Sequence, residues 1–99
     1  MAVVEVCIFP IGEGTSVSKY VAGCEKVLEQ YQDKLKYELN PMGTNIEGDL
    51  DITFEAIRKM QESVFDKGAK RVYSVVKIDD RRDKKASMDQ KINSVKSKL

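Results

Sequence analysis

Residues Val3 to Ile11 are apolar almost without a break, interrupted only by Glu5 and Pro10. A strand with one wet face alternates polar and apolar side chains, so a β-branched run of this kind fits a strand covered on both faces. The segment is therefore expected at the centre of a sheet. Everything that follows it has to supply neighbours and layers around that strand.

The next segments do so in a definite order. Gly12-Glu13-Gly14-Thr15 reads as a loop, and Thr15 or Ser16 is placed to cap a following helix. Val17, Val21, Cys24, Val27, Leu28 and Tyr31 then recur at helical spacing, with the helix ending near Gln32. From Leu35 to Leu39 the pattern alternates, with Leu35, Tyr37 and Leu39 on one side and Lys36 and Glu38 on the other. Pro41-Met42-Gly43 breaks that strand, and Thr44 to Glu47 forms the second arm of a hairpin. Asp49 or Asp51 can cap a second helix whose stripe is Leu50, Phe54, Ile57, Val64 and Phe65, with Gly68 as its stop. Arg71 to Asp80 is a fourth strand, with Val72, Val76 and Ile78 opposite Tyr73, Val75 and Lys77. Last, Ser87-x-x-Gln90 has the form of a capping box, and Met88, Ile92, Val95 and Leu99 trace a third amphipathic helix.

The order is β-α-β-β-α-β with one extra C-terminal helix. Right-handed crossovers put both main helices on one face of a four-stranded antiparallel sheet of spatial order 4-1-3-2, the ferredoxin-like α+β arrangement, in one domain spanning residues 1–99. The other face is expected to carry Cys7, Phe9, Ile11 and Tyr73, together with Tyr37, Leu39 and Val75. An apolar face of roughly several hundred Å² signals a partner or a ligand, so a homo-oligomer is expected unless the third helix folds over it.

Composition removes several function classes. The chain has 99 residues, 33% charged and 41% hydrophobic, with a net charge of +1. It gives no broad electrostatic reason to bind nucleic acid or an anionic membrane. No apolar run is long enough to span a bilayer, and no basic stretch precedes the short apolar run at the N-terminus, so a cytoplasmic protein is expected. Cys7 and Cys24 form no Cys-x-x-Cys pair, and there is no histidine. Zinc sites and Cys-His nucleophiles are thereby disfavoured, and both thiols read as small buried hydrophobes.

The densest chemistry lies in Pro41-Met42-Gly43-Thr44-Asn45-Ile46-Glu47-Gly48. The run Asp79-Asp80-Arg81-Arg82-Asp83-Lys84-Lys85 nearly neutralises itself and reads as a solvated loop or subunit contact, with an anion grip by Arg81 or Arg82 as its functional alternative.

Together with Phe9-Pro10-Ile11-Gly12, Thr15-Ser16-Val17-Ser18-Lys19-Tyr20-Val21 and Ile78-Asp79-Asp80-Arg81-Arg82-Asp83-Lys84, that hairpin makes the chain resemble the small thiamine-binding-protein-like family over nearly its whole length. The resemblance implies a dimer of sheet-stacked subunits, often a tetramer, and binding of thiamine or its hydroxymethylpyrimidine moiety with no reaction catalysed and no cofactor. For such a ligand Glu47 offers a carboxylate, Thr44 a hydroxyl and Met42 an adaptable apolar wall. Phe9 or Tyr37 offers a stacking surface, and Ser16 and Ser18 further hydroxyls. On this reading Glu47→Gln weakens binding by about 1 to 3 kcal/mol. The plain alternatives are that Glu47 is a solvated strand-end charge, Thr44 a turn former and Ser16 a cap. Three function classes compete: a carrier, buffer or sensor of such a ligand; an RNA-binding module, which shares the element order but lacks the stacking aromatics and the basic charge; and an enzyme using Glu47 or Asp80 as a base. The alternative to ligand binding is a ferredoxin-like protein-interaction or regulatory module.

Overall fold

The computed structural model describes residues 1–99. Its elements are β1 (Ala2–Pro10), α1 (Ser18–Glu29), β2 (Lys36–Asn40), β3 (Gly43–Gly48), α2 (Leu50–Asp66), β4 (Val72–Asp79) and α3 (Met88–Lys96). The sheet order is β2-β3-β1-β4, and every pairing is antiparallel. This is the ferredoxin-like layout, with β1 interior as its apolar sequence requires.

Register divides the sheet into two faces. Ala2, Val4, Val6 and Ile8 of β1 are buried, and Val4 and Val6 stand opposite Ile46 and Thr44 of β3. These residues pack with Tyr20, Cys24 and Leu28 of α1 and Ala56, Ile57, Met60 and Val64 of α2 into one core. The opposite face carries Cys7 beside Val75 and Phe9 beside Tyr73, whose rings are 5.5 Å apart.

Several local expectations change. β2 pairs Tyr37 with Ile46 and Leu39 with Thr44, so both side chains share the helix-covered face. They do not join Cys7 and Phe9, because strand pairing keeps directly opposed residues on one side of the pleat. Helix α1 begins at Ser18 behind Val17 and has no side-chain cap, so neither Thr15 nor Ser16 serves as one. In α2 the buried stripe is Thr53, Ala56, Ile57, Met60 and Val64. Phe54 and Phe65 flank that stripe, 46% and 42% exposed, because the 3.6-residue period carries them off the sheet-facing side.

Other local readings hold. Asp49 caps α2 by accepting from Ile52 N–H at 3.0 Å, and Gly68 takes φ 101° after its end. Ser87 caps α3 through a 3.0 Å bond from Gln90 N–H. The first turn of α3 folds onto the open sheet face: Ala86 and Met88 are buried, while Ile92, Val95 and Leu99 remain exposed. The helix therefore covers one end of that face and leaves Phe9, Tyr73 and Val75 uncovered. No helix is long and apolar enough to cross a membrane.

Candidate functional site

β3 stops pairing with β1 at Val6, whereas β4 follows β1 as far as Pro10. One edge of Cys7–Pro10 is thus left without a strand. The short hairpin turn at Pro41 and Met42 and the start of α1 close around this edge, and between them lies a cavity of about 230 Å³. Ten of its fourteen lining residues are hydrophobic, among them Ile8, Phe9, Val21, Leu39, Met42 and Met60. A shallower groove of about 640 Å³ continues from it along α1, sharing Val17, Val21, Leu39, Asn40 and Pro41 and adding Ser18 and Glu25. Gly43 lets the hairpin approach β1 here, since a Cβ on it would stand 3.1 Å from Val6 O.

The polar groups of the cavity are few. Thr44, only 5% exposed, donates its hydroxyl to Glu25 Oε1 at 2.6 Å. Glu25 Oε2 is buried and has no hydrogen-bond partner. Asn40 lines both cavity and groove. Among the lining residues the one ionisable acid is Glu25, and there is no Lys or Arg. Cys24 also lines the cavity; its thiol contacts Met60 O and Ser63 Oγ, and burial pushes its pKa up, which keeps it protonated and poorly nucleophilic.

The expected site residues separate into groups. Phe9, Met42 and Thr44 line the cavity, and Ser18 lines the groove. Tyr37 packs against the core, and Ser16 is exposed in the loop before α1, with neither lining the cavity or the groove. Glu47 lies at the other end of the sheet, opposite Val3, where it accepts from Met88 N–H at 2.6 Å. Val3 to Cys7 spans about 13 Å at roughly 3.3 Å per residue, so Glu47 and the cavity are separate places. Arg81 and Arg82 are also at that far end, beyond Asp79, which pairs with Val3. Each is engaged locally, Arg81 with Asp83 and Arg82 with Asp80. Their guanidinium groups hold those carboxyls low, Asp83 at about 2.

Glu25 belongs to none of the sequence blocks that carry the expected site residues. It follows Val21 by four residues and precedes Leu28 by three, which puts it on the border of the apolar stripe of α1. A lone carboxylate at such a position is the signal that could have found it. What stayed hidden is its partner, Thr44, on a strand that only the register brings alongside.

The whole chain matches known proteins. A family model described as thiamine-binding protein covers residues 4–96. The UPF0045 protein YqgV of Bacillus subtilis is 50% identical over 102 residues, spanning 100% of this chain and 98% of that protein. The crystal structure of protein MJ1052 from Methanocaldococcus jannaschii superposes with a TM-score of 0.88 at 41% identity, covering 96% of this chain and 95% of that one. A Thermotoga maritima structure, described as a candidate thiamine biosynthesis or salvage protein, gives a TM-score of 0.78 at 17% identity, with 95% and 97% covered. At that identity the likeness speaks to the fold.

Proposed function

The chain belongs to the thiamine-binding protein family, and from that membership and its apolar cavity we propose that it binds, without chemistry, a small heteroaromatic ligand of the thiamine or hydroxymethylpyrimidine type. The observation that carries this reading is the cavity between β1, α1 and the β2–β3 turn, apolar on most sides with Thr44 and Asn40 among its lining. Ligand sites commonly show this composition, an apolar lining with a few placed polar groups. About 230 Å³ is below the roughly 300 Å³ at which typical drug-sized sites begin, so it suits one ring, with any second ring lying in the groove along α1. Met42, 84% exposed on the turn, is a flexible thioether able to settle over a bound ring.

We infer that the uncovered part of the sheet face pairs with a second copy of the chain. Tyr73 and Val75 are 50% and 44% exposed there beside Phe9. The adjacent Glu5 and Lys77 neutralise each other at 2.8 Å, which suits an identical, uncharged surface better than a strongly charged partner.

A thermal melt with thiamine, thiamine monophosphate, thiamine diphosphate and hydroxymethylpyrimidine, with a short RNA as control, tests the ligand. Ligand at a hundred times its dissociation constant should stabilise the native state by about 2.7 kcal/mol, a rise in Tm of several degrees for a chain of this size. The expected result is a rise with at least one pyrimidine-containing compound and none with RNA. No rise with any of them at millimolar concentration overturns the ligand assignment.

A further inference from the structure

We propose that Glu25 is the residue that selects the ligand, and that the ligand meets it with an exocyclic amino group or a protonated ring nitrogen. This deepens the binding reading above and rests on it. Hydrogen bonding at Glu25 is unbalanced. Glu25 Oε1 takes the Thr44 hydroxyl proton, and Oε2 is buried with no donor. Removing a carboxylate oxygen from water without a partner is costly, and the cost falls when a donor arrives. No Lys or Arg forms a salt bridge with Glu25, and none lines the cavity or groove, so the protein supplies no counter-charge there.

The remaining polar capacity points the same way. With its proton committed to Glu25, Thr44 Oγ1 has only lone pairs to offer a ligand. Asn40 gives one amide hydrogen to Glu38 O, which leaves its carbonyl oxygen to accept and its second amide hydrogen to donate. The Glu25–Thr44 pair therefore calls for a donor, and Asn40 can meet either kind of group. The last torsion of Glu25 is broad, so a partial turn that keeps Oε1 within reach of Thr44 can bring Oε2 toward the groove that Glu25 lines. An aminopyrimidine edge fits, because its amino group donates and its ring nitrogen, once protonated, donates as well. A phosphate does not, because it brings negative charge and acceptor oxygens to a lining that holds a carboxyl group and no Lys or Arg. A phosphorylated ligand would keep its phosphate outside.

The test compares two rings that differ only in the amino group, 4-amino-5-hydroxymethyl-2-methylpyrimidine and its desamino analogue 5-hydroxymethyl-2-methylpyrimidine, by calorimetric titration into wild-type protein and Glu25→Gln. The desamino ring carries no N–H, and without the amino group its ring nitrogens are much weaker bases. Wild type should bind the amino ring about tenfold or more tightly than the desamino ring, the scale set by one charge-assisted hydrogen bond. Glu25→Gln can still accept from Thr44 but presents an amide N–H₂ to the ligand. It should lose about tenfold or more for the amino ring, and its preference over the desamino ring should narrow. Wild type binding both rings equally overturns the assignment of Glu25 while the binding reading stands, as does Glu25→Gln holding the amino ring as tightly as wild type. Wild type binding neither ring overturns both. The amino-to-desamino ratio of wild type is a readout independent of whether the variant folds.

Discussion

Two glutamates show how position decides the work of a residue type. Glu47 sits in the hairpin with the densest chemistry, yet its carboxylate reaches Met88 N–H at the start of α3 and lies far from the cavity. An acceptor at a helix start satisfies an otherwise orphaned donor and meets the positive end of the helix dipole. Glu25, on the border of a helical stripe, instead stands beside Thr44 at the cavity with one oxygen unpartnered. With the ligand in the cavity, Glu47 is too distant to touch it. Glu47→Gln should leave ligand affinity unchanged and lower stability by about 1 kcal/mol or somewhat more, the range for weakening a charged hydrogen bond. Urea denaturation alongside the ligand titration checks this, and a loss of affinity without loss of stability would return Glu47 to the site.

At the scale of elements, β3 and α3 set the two ends of the sheet apart. The short reach of β3 leaves one edge of β1 unpaired beyond Val6, while β4 keeps the other edge paired, and this opens the cavity. The first turn of α3 closes the opposite end of the other face, held by Glu47, by a Lys36–Asp89 ion pair of 2.8 Å and by contact between Lys91 and Asp79. Surface ion pairs of this kind contribute little individually, so the cap and the buried Met88 carry most of the anchoring. Ser87→Ala should therefore cost about 1 kcal/mol and loosen α3 first. Hydrogen exchange would show this as faster exchange at Gln90 and Lys91 with the core amides little changed; uniform acceleration would mean that α3 is integral to the core.

At the scale of the molecule, most of the architecture was legible because periodicity and punctuation agree. The continuous apolar run marks β1 as central, alternation marks β2, and Ser87 and Gly68 mark helix ends that the structure keeps. The face assigned to Tyr37 and Leu39 was not legible, because alternation shows that two residues share a side without showing which side. Only pairing with Ile46 and Thr44 decides it. The cavity was half legible: Phe9, Met42 and Thr44 stood out by chemistry, whereas Glu25, Asn40 and Met60 reach it through tertiary contacts. The uncovered sheet face has its own consequence. Val75→Glu should shift sedimentation toward the monomer while leaving far-UV circular dichroism unchanged, because a charge in an apolar interface is costly to desolvate. Wild-type protein that sediments as a monomer would contradict the pairing of copies.

Entry of ligand into the cavity beside Thr44 can be followed by amide shift mapping in NMR spectra during titration with hydroxymethylpyrimidine. Saturable changes should cluster at Val21, Glu25, Asn40 and Thr44, with Glu47, Met88 and Arg82 unmoved. Changes centred on Glu47 and Met88 or on Arg81 and Arg82, with Thr44 silent, would contradict it.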